Sequence, residues 1–280
     1  MFNAQCSMFK LCLIFFHNFA IVMSTIIYSS PIFGPVHSRR LGISLGINLL
    51  PEGGKLCSFD CVYCECGLNH ERRTHNPLPS SDKVETCLTD KLQELKNEGI
   101  TPDVLTFAGN GEPTLNPHFP EIVERVIKVR DTYCPNAKIS ILSNATQIHR
   151  PEIREALSKF DNNIQKLDTV SPLYINKVDR PQGHYDVEDQ IKNLTLFNGH
   201  VIIQTMFMDG ELGGESVCNT TPEYVEPYIE ALKRINPSKV MIYTIDRDTP
   251  VEGLRKATPE VLDSIAEQIR NAGFECSVSY

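Results

Sequence analysis

The feature that most constrains the fold is a regular alternation of short apolar runs with longer amphipathic ones. Six runs have the length of a strand, and they span residues 45–50, 104–107, 139–142, 164–167, 201–206 and 240–245. The second, third, fifth and sixth are apolar almost throughout, as expected for strands covered on both faces of a parallel sheet. The pattern predicts an α/β fold of six β-α units without an internal domain break, and it leaves open whether the sheet closes into a barrel.

The segments between these runs carry helix signals. Asp82 and Glu85 predict a capping box at the start of one helix, and Gly99 predicts where that helix ends. Three further helices are expected to begin where a capping side chain precedes a proline, at Asn116, Thr221 and Thr258.

The net charge limits the classes of partner. The 280 residues include 27 Lys plus Arg against 35 Asp plus Glu, which gives a net charge of −8. A chain of this charge lacks the overall basic field that steers proteins toward nucleic acid phosphates. Nucleic acid is therefore not favoured as a partner.

The first 22 residues are set apart from the rest. Their apolar stretches are too short and interrupted for a membrane span. A signal peptide is the second interpretation, but no small-residue cleavage site precedes Met23. We favour a third, in which residues 1–22 are a leader that is not translated, and residues 23–280 form one cytoplasmic domain without a membrane partner.

Four of the ten cysteines lie close together, at Cys57, Cys61, Cys64 and Cys66. A long chain whose other cysteines are scattered does not suit a disulfide framework, so the group indicates metal ligation in a reducing compartment. Thiolates spaced like the first three, directly after a strand, can converge on one iron–sulfur cube and leave one iron open. The alternative is structural zinc with Cys66 or His70 as the fourth ligand, but zinc sites usually combine two distant pairs, and no second pair exists.

The sequence from Cys57 to Cys64, with Tyr63 before the last cysteine, resembles the signature of the radical S-adenosylmethionine (SAM) superfamily. The resemblance covers about residues 31–280 and implies a partial (βα)6 TIM-like barrel, the radical SAM core, with the site at the carboxyl ends of the strands. It implies one 4Fe–4S cluster, held by Cys57, Cys61 and Cys64 without Cys66. The implied reaction is reductive cleavage of SAM to a 5′-deoxyadenosyl radical that abstracts hydrogen from an unidentified substrate.

Polar residues that follow the predicted strands supply the cofactor contacts. Residues 109–112, Gly-Asn-Gly-Glu, resemble the Gly-Gly-Glu element of the superfamily, in which the carboxylate holds the amino group of SAM. The resemblance implies cofactor contacts for Tyr63, Gly109, Asn110, Gly111, Glu112, Asn144, Lys166, Asp168 and, more weakly, Gln204. Asn110 stands where the superfamily has its middle glycine.

The substrate is not encoded in these motifs. Residues 34–42 are similar to a branch related to the enzyme that builds the tricyclic base of wybutosine in tRNA, so a tRNA-modifying radical enzyme is one alternative. The acidic charge and the absence of matching upstream cysteines disfavour it, since Cys6 and Cys12 lie in the leader. A non-enzymatic zinc-binding module is the second alternative. Three charged pairs, Arg39-Arg40, Arg72-Arg73 and Asp246-Arg247, could meet an anionic substrate, and we favour the interpretation that they form structural ion pairs. The resemblance implies an external electron donor such as flavodoxin or ferredoxin.

Overall fold

The computed structural model describes residues 25–38 and 42–280. The leader and the pair Arg39 and Arg40, on which the sequence made predictions, lie outside these residues. The described helices are α1 (Ser81–Asn97), α2 (Phe119–Tyr133), α3 (Pro151–Leu157), α4 (Pro172–Tyr174), α5 (Val187–Thr195), α6 (Pro222–Ile235) and α7 (Pro259–Asn271), with a 3-10 turn at Pro113–Leu115 and a π-helical turn at Ile175–Asp179.

The strands form one large sheet and one small sheet. They are β1 (Ile32–Ser38), β2 (Gly42–Ile47), β3 (Val104–Phe107), β4 (Lys138–Ser143), β5 (Asn162–Lys166), β6 (Ile202–Met206), β7 (Met208–Leu212), β8 (Glu215–Ser216), β9 (Lys239–Tyr243), β10 (Leu254–Lys256) and β11 (Cys276–Ser279). The large sheet has the order β1-β2-β3-β4-β5-β6-β9-β11, and all its neighbours run parallel except β1 and β2. The small antiparallel sheet has the order β10-β7-β8.

The large sheet is a partial barrel. Each of the strands β2 to β6 and β9 is followed by a helix that returns the chain to the next strand, which gives the six predicted β-α units. Within the part of the chain that the structure describes, β1 and β11 end the sheet without pairing to each other. The outer faces of the strands pack against the helices in one continuous core that includes Leu45, Phe107 and Ile141. The predicted fold class is confirmed.

The strand predictions hold better than the cap predictions. The strand Val104–Phe107 is as predicted, whereas the first predicted strand begins and ends three residues earlier, because the chain after Ile47 already turns into the cysteine loop. Helix α1 is capped by the side chain of Ser80, which accepts from the backbone N–H of Lys83, so the capping box at Asp82 is wrong.

The other predicted caps differ in outcome. Thr258 caps α7 through its side chain, as predicted. Thr221 precedes α6 without a side-chain hydrogen bond. Helix α2 begins later than expected, at Phe119, because the Asn116 side chain accepts the N–H of His118 in a local turn.

The two ends of the partial barrel differ in character. A cavity of 460 Å³ lies at the amino end, against the first residues of several strands, which include Val104, Lys138, Asn162, Ile202 and Lys239. The cysteine loop lies at the opposite, carboxyl end, where ligands bind in open parallel sheets. No helix within residues 25–38 and 42–280 combines the length and the apolar character that crossing a bilayer requires.

Candidate active site at the carboxyl ends of the strands

The cysteine loop connects β2 to α1 and is fixed against the end of β3. The backbone N–H of Leu56 donates to the carbonyl of Asn110 at 3.0 Å, and the N–H of Glu112 donates to the carbonyl of Leu56 at 3.0 Å. These reciprocal bonds set Cys57, the next residue, beside the Gly-Asn-Gly-Glu segment. The two motifs that the sequence singled out are therefore in direct contact.

The loop folds back on itself through the residues between and after its cysteines. The N–H of Cys64 donates to the carbonyl of Cys61 at 3.1 Å, which closes a tight turn. The Asn69 side-chain amide donates to the carbonyls of Cys57 at 3.2 Å and Phe59 at 3.0 Å. All three cysteines are thus held in one compact loop, half-buried and without a disulfide bond.

A second segment supports the same loop from the side of β5. The N–H of Asp60 donates to the carbonyl of Asp179 at 3.0 Å, and the N–H of Val62 donates to the carbonyl of Val178 at 2.9 Å. The π-helical turn Ile175–Asp179 therefore runs alongside the cysteine loop. Tyr63 and Val62 pack here into a second apolar cluster with residues of the small sheet, such as Met208.

Buried charge concentrates around the cysteines. The Lys55 ammonium is buried, donates to the carbonyl of Gly67 at 2.6 Å and lies 3.7 Å from the carboxylate of Asp60. Burial alone would lower the pKa of Lys55, but the nearby sulfurs of Cys64, Cys57 and Cys61 outweigh it and raise that pKa. A buried cation near three cysteines suits an anionic group bound by their sulfurs.

The cysteine pKa values follow from burial and from their neighbours. Burial raises the pKa of Cys57 to about 12, with the charges of Cys64 and Glu112 acting in the same direction. Burial likewise raises the pKa of Cys61. A hydrogen bond from Cys66, opposed by burial and aided by Lys55, lowers the pKa of Cys64 to about 6. Cys64 is thus the cysteine best prepared to lose its proton to a metal.

Cys66 is a fourth cysteine of the same loop, and its thiol contacts the sulfur of Cys64. It is buried, and its Sγ approaches the carbonyl of Gly109 at 3.5 Å while it donates to Cys64. The bystander role of Cys66 stays a prediction. Among the described residues, no three Cys, His, Asp or Glu side chains converge as they would around a single metal ion.

The glycines beside Asn110 are required by the backbone. Gly109 has φ of +139° and Gly111 has φ of +129°, a region that L side chains rarely adopt. A Cβ atom on Gly111 would lie 1.9 Å from the carbonyl oxygen of Leu56. The close approach of the cysteine loop to β3 therefore depends on this glycine.

Glu112 is fully buried and anchored on both oxygens. Its Oε1 accepts from Thr114 and from the hydroxyl of Ser143 at 3.0 Å, and its Oε2 accepts the N–H of Asn144 at 2.6 Å. Burial raises the pKa of Glu112 although these donors oppose the shift. Oε2 retains capacity for a further donor, so a ligand ammonium is a chemically suitable partner.

Asn144 joins Glu112 to the cysteine loop. Its side-chain amide donates to Ser58 Oγ at 2.9 Å and lies 3.5 Å from Cys57 Sγ. An amide donor next to a cysteine sulfur is the kind of contact that tunes a metal-bound thiolate. The predicted residues Glu112 and Asn144 are therefore brought together beside Cys57.

Tyr63, Lys166 and Asp168 form a second buried group near Cys61. The Lys166 ammonium donates to the Tyr63 hydroxyl and pairs with Asp168, and it lies 2.9 Å from the carboxylate of Asp179. These carboxylates outweigh burial and raise the pKa of Lys166, while burial raises the pKa of Asp179 to about 6. Gln204 is half-buried on β6, directly beside Lys166 on β5.

Two residues of this site were not predicted from the sequence. Lys55 stands two positions before Cys57. A lysine so close to a group of cysteines could have indicated a cation beside a bound anionic cluster. Asp179 lies far from any motif, and only the fold of the segment after β5 places it against Lys166 and the cysteine loop. No sequence signal marks it.

The basic residues beyond the loop do not behave as expected. Arg72 donates to the hydroxyl of Thr25, and neither it nor Arg73 forms an ion pair with any described residue. The ion-pair interpretation is therefore wrong for the described residues around this pair. The same interpretation is confirmed for Arg247, which pairs with Glu65 at 2.8 Å.

Comparisons with known proteins agree with this geometry. A family model described as the Radical SAM superfamily matches residues 52–215. The UPF0026 protein of Helicobacter pylori strain J99 is 31% identical over 235 residues, which cover 82% of this chain and 71% of the relative. A UPF0026 protein of Methanocaldococcus jannaschii is 31% identical over 238 residues, which cover 83% of this chain and 69% of the relative.

Solved structures share the fold at low identity. A radical SAM methyltransferase from Sphaerobacter thermophilus matches with a TM-score of 0.63 and 14% identity, covering 85% of this chain and 66% of that one. Streptococcus suis SuiB bound to S-adenosylmethionine matches with a TM-score of 0.58 and 16% identity, covering 83% and 50%. The chain therefore spans between half and two thirds of the length of these structures, and the likeness concerns the fold.

Proposed function

Because the chain belongs to the radical SAM superfamily, we propose that Cys57, Cys61 and Cys64 bind one 4Fe–4S cluster that cleaves SAM reductively. One observation carries the proposal: the three cysteines share a compact loop that is hydrogen-bonded to the Gly-Asn-Gly-Glu segment at the carboxyl end of β3. When bound, the cluster and SAM supply the chemistry, an electron transfer that yields a 5′-deoxyadenosyl radical able to abstract hydrogen from substrate.

The residues of the chain fit this cofactor pair. The buried Lys55 cation lies near the three cysteines and would offset the negative charge of a thiolate-bound cluster. Asn144 offers an amide donor to Cys57. We assign the fourth iron position to the cofactor, since the Cys66 thiol already donates to the carbonyl of Gly109 at 3.5 Å.

The SAM contacts divide between two groups of residues. Glu112 accepts a hydrogen bond from the amino group of the methionine part of SAM, and residues 109–111 let SAM approach the backbone closely. The ribose and the carboxylate of SAM are contacted by Asn144 in the first group and by Lys166 and Asp168 in the second. Tyr63 and Gln204 complete this second group next to Lys166.

Metal analysis separates this function from a zinc-binding module. Protein purified without oxygen is expected to contain about four iron and four sulfide per chain, the composition of one such cluster. Stoichiometric zinc without sulfide would replace the proposal by the non-enzymatic alternative.

The substrate remains to be identified by its effect on turnover. We propose an external electron donor of the flavodoxin or ferredoxin type, and a substrate other than tRNA because the chain carries a net charge of −8. Formation of 5′-deoxyadenosine is to be compared with and without metabolite fractions and with tRNA. Formation that depends on tRNA at physiological salt would make the tRNA-modifying alternative the correct one.

Replacement of Glu112 by glutamine should weaken SAM binding while the cluster is retained. The substitution removes a charge-assisted hydrogen bond worth about 1.5–3 kcal/mol, so the dissociation constant should rise about 10- to 100-fold. Equilibrium titration of cluster-loaded protein measures the change, and iron content and thermal melting check the fold. Glu121→Gln, on the exposed side of α2, is the matched control. An unchanged affinity would exclude Glu112 from the amino-group contact.

Replacement of Lys55 by methionine should make the midpoint potential of the cluster more negative. The side chain keeps its length but loses a buried charge that favours the reduced, more negative cluster. The remaining Asp60 carboxylate acts in the same direction. A redox titration followed by electron paramagnetic resonance measures the potential, with Lys83→Met on α1 as the exposed control. A potential equal to that of the wild type would contradict this role.

A further inference from the structure

Asn110 is the point at which the cofactor motif departs from the superfamily pattern. Its neighbours Gly109 and Gly111 need the conformational freedom of glycine, whereas Asn110 itself has no positive φ. The backbone at this position therefore accepts a side chain. The side chain of Asn110 is completely buried, so its amide must find partners within the protein.

The partners of that amide lie in the segment before β1. The Asn110 side chain accepts the N–H of Tyr28 and donates to the carbonyl of Tyr28, both at 2.8 Å. Asn48, also completely buried, donates to the carbonyls of Tyr28 at 3.3 Å and Ser29 at 3.2 Å. Two buried amides, one after β2 and one after β3, thus both hold Tyr28.

The segment then reaches the cysteine loop. The N–H of Ile26 donates to the carbonyl of Glu65 at 2.8 Å, and Glu65 stands between Cys64 and Cys66. The Arg247 guanidinium donates to the Tyr28 hydroxyl at 3.1 Å and to the Glu65 carboxylate at 2.8 Å. Residues 25–30, which we name the N-terminal brace, therefore connect the ends of β2, β3 and β9 with the cysteine loop.

We propose that the N-terminal brace is a positioning element of the cluster site and that Asn110 is its principal anchor. The inference rests on the proposed function for the identity of the cluster. The brace fixes Glu65, and through it the backbone that carries Cys64, and it covers this side of the loop. Release of the brace would let solvent and dioxygen reach the cluster from the side of Cys64.

The side-chain amide explains why glycine is replaced here. The side-chain amide of asparagine carries an acceptor oxygen beside a donor nitrogen. The oxygen can accept the backbone N–H of one residue while the nitrogen donates to the C=O of the same residue, as the backbone of a neighbouring strand would. Glycine at position 110 would leave the N–H of Tyr28 without this partner and would free its carbonyl from one of two donors. Asparagine at this position therefore adds two hydrogen bonds to Tyr28 that glycine could not make.

The first test is Asn110→Gly, which restores the superfamily residue at a position where the backbone tolerates it. Loss of two buried hydrogen bonds should raise the hydrogen-exchange rate of the amides of Ile26 and Tyr28 about tenfold or more. The matched control is Asn76→Gly. The side-chain amide of Asn76 lies outside the brace, in a loop, and donates to the carbonyl of Glu52 at 2.7 Å. This measurement uses cluster-free full-length protein, so it stands even if the cluster proposal fails.

The second test addresses the cluster. In cluster-loaded Asn110→Gly, bleaching of the visible absorbance in air should be several-fold faster than in the wild type and in Asn76→Gly. Arg247→Met, which removes the side-chain link between Tyr28 and Glu65 at an exposed position, should give a change in the same direction. Unchanged hydrogen-exchange rates at residues 26 and 28 in Asn110→Gly would overturn the claim that Asn110 anchors the brace. Faster exchange with an unchanged rate of bleaching would overturn the claim that the brace protects the cluster.

Discussion

Alanine in place of Cys57, Cys61 or Cys64 is expected to abolish both the cluster and the formation of 5′-deoxyadenosine. Each cysteine supplies one of three protein bonds to iron, and a cluster with two thiolate ligands lacks the support that assembly in this loop requires. The loss should reach the detection limit for turnover, the largest effect that we expect from any substitution. Iron and sulfide analysis and the visible absorbance of the cluster provide the measurement.

Cys66→Ala is the matched control for this series. It removes a sulfur from the same loop but leaves the three ligands in place, and the buried site against Gly109 tolerates a smaller apolar side chain. The variant should keep its full iron content, although loss of the hydrogen bond to Cys64 removes one influence on that thiolate. Iron loss equal to that of the other three variants would show that Cys66 is a ligand.

Gly111→Ala is expected to destabilise the fold more than any other single substitution by alanine in the site. The φ of +129° excludes a Cβ atom, and the added methyl would overlap the carbonyl of Leu56, 1.9 Å away in the cysteine loop. Backbone strain and the displaced loop together should lower the free energy of unfolding by about 3–5 kcal/mol. For a chain of this size the melting temperature should fall by about 10 °C.

Thermal melting of the cluster-free protein measures this change without interference from metal. Gly183→Ala is the control, because Gly183 lies in an exposed loop with open space around its Cα and no positive φ. It should melt within about 1 °C of the wild type. A similar small shift for Gly111→Ala would mean that the loop and β3 do not approach as closely as described.

The sequence predicted those parts of the fold that local pattern determines. Buried parallel strands such as Val104–Phe107 are continuous apolar runs, and helices carry caps such as Thr258, so both could be located. The cysteine loop and Glu112 could be found because each lies in a short motif that resembles one of the superfamily. The structure brings these residues together at one end of the sheet, and their roles in binding stay predictions.

The remaining features depend on contacts between distant segments. The small sheet β10-β7-β8 was missed because its strands are short and polar, and β1 because it lies at the edge of the large sheet. The predicted fold began near Pro31, yet Tyr28 is tied to Asn110 across 82 positions of the chain. Asp179 likewise reaches Lys166 only through the packing of the turn that carries it.

The most direct test of the central claim is product analysis of the full-length protein after anaerobic reconstitution with iron and sulfide. With dithionite and SAM, the wild type is expected to release 5′-deoxyadenosine and methionine, detected by mass spectrometry, whereas the Cys57→Ala variant releases neither. Reconstituted wild-type protein that holds a 4Fe–4S cluster and binds SAM but forms no 5′-deoxyadenosine under these conditions would contradict the account.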